Sequence, residues 1–167
     1  MNDIINLLDW VGRVSAALWL IAIVVGISGW VNGIRPALIR LGTGFAKRKI
    51  AIFAKGEMQS SLKNLLLDSK LFKSKNIIEI ASRGDFSRAE QATIYLVYWP
   101  DWPDDMLELL KRKKDGTALV VYAPQDKGRI PQEVIDEINK ERNVAVSNLR
   151  GRLLNDIVGC LITTGYI

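Results

Sequence analysis

The sequence predicts an α/β protein in which one apolar, membrane-spanning helix precedes a five-stranded, parallel, doubly wound sheet of strand order 2-1-3-4-5. Three observations carry this. No charged residue falls between Val14 and Ile34. Past residue 46, short apolar runs alternate with segments of helical periodicity. The third and fourth of those runs, TIYLVY and TALVVY, are apolar almost throughout, as strands covered on both faces are.

The uncharged stretch, about 14–34, is long enough to cross a hydrocarbon core, which takes about 20 apolar residues. Its acidic start, with Asp3 and Asp9, and its length differ from a cleaved signal peptide. Trp10 and Trp30 fall near its ends, where indoles favour the interface. Arg13 precedes the span, whereas Arg35, Arg40, Lys47, Arg48 and Lys49 follow it. Positive flanks stay on the cytoplasmic side, so the N-terminus is expected outside the inner membrane and the larger domain in the cytoplasm. Pro36 and a turn at Gly42-Thr43-Gly44 are expected to make a short linker, which would let Lys47, Arg48 and Lys49 reach anionic lipid. Gly29 and Gly33 show a small-xxx-small spacing compatible with helix pairing, and a homo-oligomer is expected. The division is thus 1–46, anchor and linker, and 47–167, one α/β domain.

Within that domain the first strand is read at Ile50–Ala54. A helix follows over Glu57–Phe72, with Met58, Leu62, Leu65, Leu66 and Leu71 on one face. The second strand is Ile77–Ala81, then a short helix over Phe86–Gln91 with Asp85 as its N-cap. Thr93–Tyr98 is the third strand. Asp104–Lys114 is a helix with acids first and bases last, the order a helix dipole favours. Thr117–Tyr122 is the fourth strand, and Pro131 opens the next helix. Val144–Ser147 is the fifth strand, and Gly151–Thr163 a final amphipathic helix. Strands alternating with helices imply a parallel sheet of flavodoxin-like topology.

Composition limits the chemistry. The 167 residues include no histidine and one cysteine, and 23 Lys and Arg against 18 Asp and Glu give a net charge of +5. Without histidine there is no Ser-His-Asp or Cys-His pair and no ordinary zinc site. Cys160 cannot form an internal disulfide. No cofactor signature is present, since Lys55-Gly56-Glu57 after the first strand lacks a phosphate-cradling glycine fingerprint.

Ligands of such sheets bind outside the carboxyl ends of the strands. The loops there collect Lys55, Arg83, Lys127, Arg129, Arg150 and Arg152, with Trp99, Trp102 and Asn148. Arginine forks pair with phosphates and indoles stack on bases, so a nucleotide-like small molecule is the expected ligand, with no DNA or RNA and the lipid bilayer as the other partner.

The element order resembles response-regulator receiver domains. The receiver phosphoacceptor pattern is missing, because the first, fourth and fifth strands end in Ala54-Lys55, Ala123-Pro124 and Ser147-Asn148, and only Asp101 stands near a receiver position. The plan from Lys49 to Ile167 also resembles TIR domains, whose catalytic Glu lies in the helix after the third strand. Glu108-Leu109 occupies that place, although Asp104 and Asp105 stand where the TIR Trp-Cys would be. That resemblance implies NAD cleavage through Glu108; without it, Glu108 is an exposed helix residue placed to pair with Arg112. One helix joined to such a domain resembles bacterial signalling and anti-phage effectors in general plan. The reading that follows is a membrane-anchored sensor or effector that binds an anionic ligand or a protein partner and signals through self-association, the alternatives being a TIR-like enzyme or a non-catalytic membrane subunit.

Overall fold

The structure is a computed structural model that describes the backbone of residues 2–164 and the side chains of residues 10–35 and 48–164. The chain divides into two compact units, Met1–Thr43 and Gly44–Ile167.

The first unit is helical. Helix α1 runs from Asn2 to Lys47. Within it Trp10–Arg35 is long and apolar enough to cross a membrane, with a mean hydropathy of 2.2, and none of that stretch is buried inside the protein. The turn expected at Gly42-Thr43-Gly44 does not form, because the backbone stays helical past Pro36 and through these residues. A glycine inside a helix costs only about 1 kcal/mol relative to alanine, which a helix already nucleated upstream can absorb. The side chains of Arg40, counted in the positive flank, and of Lys47, expected to reach anionic lipid, lie outside the described residues.

The second unit is an open sheet of five parallel strands which, counted along the chain, lie in the order 2-1-3-4-5. The strands are β1 (Ile50–Phe53), β2 (Ile77–Ile80), β3 (Ile94–Tyr98), β4 (Ala118–Tyr122) and β5 (Val144–Ser147). Register runs Ile50 to Ile77 and to Ile94, Ile94 to Ala118, and Leu119 to Val144. Every residue of β1, β3 and β4 is buried, which is why these strands read as unbroken apolar runs instead of alternating ones.

Five helices connect and cover the strands: α2 (Gly56–Asp68), α3 (Phe86–Ala89), α4 (Met106–Arg112), α5 (Gln132–Lys140) and α6 (Arg150–Thr163). Alternate residues of each strand feed two separate cores. On one face Ala51, Phe53, Tyr95 and Val97 pack with Phe86 of α3, Met106 and Leu109 of α4, and Ile138 of α5. On the other face Ile50, Ile52, Leu96 and Val120 pack with Leu62 and Leu66 of α2 and Leu153, Ile157 and Leu161 of α6. Each large side chain so buried contributes about 1.5–3 kcal/mol.

Several helix ends differ from the sequence reading. Helix α2 stops at Asp68, and Lys70 adopts a left-handed φ of 58°. This rotates the chain, so Phe72 is buried while Leu71 turns out to solvent. Asp85 holds the N-cap position of α3 but does not cap it, because its carboxylate accepts from Ser82 Oγ and an Arg88 guanidinium nitrogen instead. Helix α4 begins only at Met106, since the Asp105 carboxylate is drawn to Arg83.

Candidate functional site

Because the strands are parallel, their carboxyl ends share one rim. The direction of winding reverses between β1 and β3, where α2 leaves to one face and α4 to the other. This is the crevice in which folds of this kind bind ligands. Here the chain itself fills it. The backbone N–H of Lys55 donates to Asp101 Oδ2 at 2.6 Å, and Lys55 Nζ donates to the Asp101 carbonyl at 3.1 Å. The same ammonium lies 4.6 Å from the centre of the Trp102 ring. A carboxylate from the β3 loop therefore occupies the amide that an exogenous anion would use.

The tryptophans are core residues. Trp99 is 5% exposed and Trp102 1%. The Trp102 ring packs 6.0 Å from Phe53, edge to face, and 5.4 Å from Phe86. Burial takes the surfaces that were expected to stack on a base, so neither indole is offered to a ligand. The Trp102 Nε1 is buried without a hydrogen-bond partner among the described residues.

Arg83 is also engaged. Its Nε lies 2.5 Å from Asp105 Oδ1, an ion pair that lacks in-line hydrogen-bond geometry. With Asp85, Asp101, Asp104 and Asp105 in the loops that follow β2 and β3, the β1–β3 side of the rim carries more acids than bases.

The β4–β5 side is different. Tyr122 pairs with Ser147 in the ladder, and the Ala123 N–H donates to the Ser147 carbonyl at 2.9 Å, so the two following loops leave the sheet side by side. One carries Lys127 and Arg129, with Gly128 at φ 104° allowing a backbone course that other residues resist. The other carries Asn148, Arg150 and Arg152. All five side chains are exposed. Among the described residues Lys127, Arg129, Asn148 and Arg152 have no side-chain partner, whereas Arg150 donates to the Ser61 carbonyl and to Ser61 Oγ of α2. Asp126 is the one acid in these two loops.

Helix α6 starts in the middle of this group. Its N-cap is Leu149, which offers no side-chain acceptor, and its first turn holds no acid. Arg150 and Arg152 stand there instead. The N-terminus of a helix carries partial positive charge and unpaired N–H groups, so two cations at that end are electrostatically unfavourable until an anion arrives.

Two phenols missed in the sequence lie at the same rim. Tyr98 and Tyr122 end β3 and β4 on the α2–α6 face, with ring centres 5.8 Å apart. Burial pushes the Tyr98 hydroxyl above its usual range, and Asp101, Tyr122 and Asp126 add to the effect, so it stays protonated and able to donate. The only hint of them in the sequence is that both of the central apolar strands end in tyrosine.

Glu108 lies on α4 and is clamped by Arg112, whose Nε and second guanidinium nitrogen approach Glu108 Oε1 at 2.9 and 2.8 Å. That is the i,i+4 surface pair expected of an ordinary helix residue. Among the described residues no cluster of His, Cys, Asp and Glu could hold a metal ion.

No family model, curated protein or solved structure matches this chain.

Proposed function

We propose that this protein is a membrane-anchored sensor whose α/β domain binds an anionic, nucleotide-like small molecule at the β4–β5 side of the carboxyl rim. The observation that carries the reading is the basic start of α6: Arg150 and Arg152 at a helix N-terminus with no cap and no acid, beside Lys127 and Arg129. Phosphate groups satisfy guanidinium forks and helix N–H groups together. Arg150, held by Ser61, is the fixed element of the site, and Lys127, Arg129 and Arg152 are the groups free to close on a ligand. Recognition rests on charge, not on stacking, because both rim tryptophans are buried.

In this reading α1 crosses the inner membrane with its N-terminus outside, as the Arg35, Arg40, Lys47, Arg48 and Lys49 flank favours. The apolar surface of Trp10–Arg35 is entirely uncovered by the rest of the chain, so lipid or a second copy must cover it. Ligand binding is then relayed through self-association of the anchored chains.

Calorimetric titration of the full chain in detergent with linear and cyclic nucleotides tests the site. The pair Arg129→Glu and Arg152→Glu should weaken binding roughly tenfold or more, since each removes a charge-assisted contact. The melting temperature should not fall, because neither side chain has a hydrogen-bond or ion-pair partner among the described residues and an acid in the first turn of α6 suits the helix dipole. Glu108→Gln should bind as the parent does. Equal affinity in the parent and the double variant would sink the proposed site.

A further inference from the structure

The opposite rim carries a stronger and simpler charge pattern. The amino ends of the strands share one edge, and the loops entering it are tied into a continuous floor. The Thr93 N–H donates to the Lys49 carbonyl at 2.8 Å, the Ala118 N–H to the Thr93 carbonyl at 2.9 Å, and the Leu119 N–H to the Asn143 carbonyl at 2.9 Å. Side chains lace the same loops: Arg48 donates to Thr164 Oγ1 and Asn143 to the Asp115 carbonyl.

Lys70, Lys73, Lys75, Lys114 and Arg142 are exposed on this floor, and none has an acidic partner among the described residues. Lys114 reaches only the carbonyl of Glu90. The acids nearby are mostly spent, Glu90 on Arg112 and Glu141 on Lys113, which leaves Asp68 and Asp115. One apolar side chain stands among the cations. Leu71, turned outward by the left-handed Lys70, is 39% exposed. The carboxyl rim, by contrast, mixes acids and bases in comparable number.

We infer that this floor is a docking surface for the anionic lipid headgroups of the bilayer that α1 enters. Charge complementarity is one argument, because clustered Lys and Arg next to a membrane segment are drawn to a negatively charged leaflet. An exposed leucine set among lysines adds apolar contact with the headgroup boundary. Continuity of the chain is the other. Arg48, on this floor, directly follows the last residue of α1, and residues 36–47 are all that separates it from the end of the apolar stretch at Arg35. A surface tethered to the bilayer through the same chain meets it at raised effective concentration, so weak contacts suffice. The carboxyl rim at the other end of the strands would stay open to soluble ligand. The inference rests on the membrane reading of α1.

The test is hydrogen exchange on the full chain in nanodiscs of phosphatidylcholine alone or with a third phosphatidylserine. In the anionic discs the amides of residues 70–76 and 113–117 should exchange several-fold more slowly, while those of 124–130 should not change. The combined substitutions Lys73→Gln, Lys75→Gln, Lys114→Gln and Arg142→Gln, all at exposed positions, should erase the difference. Equal exchange in the two lipids, or slowing that survives the substitutions, overturns the docking surface. Retention in the membrane pellet after alkaline carbonate is scored separately. A chain that is washed off overturns the membrane reading, whereas a retained chain with equal exchange overturns only the docking.

Discussion

Single residues decide which groups of the carboxyl rim remain for a ligand. Lys55 was legible as a rim cation, but its partner was not. Asp101 lies 46 positions away in the chain, and their 2.6 Å contact exists only because β1 and β3 are neighbours in the sheet. Asp101→Ala should cost about 1.5–3 kcal/mol in urea unfolding, the usual worth of a charge-assisted hydrogen bond. The tryptophans were misread for a related reason: whether an aromatic side chain in a loop is exposed depends on what the other loops offer it. Phe53 and Phe86 offer Trp102 a packed site, so Trp102→Ala should cost about 3–5 kcal/mol by the same measurement. Cys160 was legible only as a lone thiol. Burial in the α6 core pushes its pKa up, with Asp156 adding to the effect, so at pH 8 the folded protein should react far more slowly with a thiol reagent than the urea-unfolded chain.

At the scale of elements, the strands were the most legible part of the sequence. Central parallel strands need no solvent face, and IYLVY and ALVVY declare themselves by being apolar throughout. The helix faces of α2 and α6 were legible from the spacing of Leu62 and Leu66 and of Leu153, Ile157 and Leu161. Helix ends were not, because they answer to tertiary partners. Asp105 leaves the first turn of α4 to pair with Arg83, and Lys113 leaves its last turn in an extended conformation to reach Glu141 at 3.3 Å. The Lys113 side chain is 1% exposed, whereas that of Glu141 is 36% exposed. Removing the acid strands a buried ammonium. Glu141→Ala should therefore destabilise the fold by about 1–3 kcal/mol, discounted for the solvent that reaches the glutamate side, and should cost more than Lys113→Met, which removes the charge with it.

Across the whole molecule, charge is sorted between the two ends of one sheet. The amino rim is positive and directly follows α1, and the carboxyl rim is acidic beside β1 and β3 and positive beside β4 and β5. The sequence showed the overall basic balance and the single apolar span. The sorting became visible only once parallel winding had assigned every loop to one end or the other. The central claim, an anion site at the start of α6, is tested most directly by the thermal midpoint of the full chain against a panel of nucleotides, cyclic nucleotides and pyrophosphate. A ligand held by the folded state raises that midpoint by mass action, about 2.7 kcal/mol of added stability at a hundredfold excess over Kd. The account predicts a clear rise with at least one phosphate-bearing ligand, lost when Arg129 and Arg152 are both changed to Glu. A midpoint that no anion moves, or one that moves equally in that double variant, would contradict it.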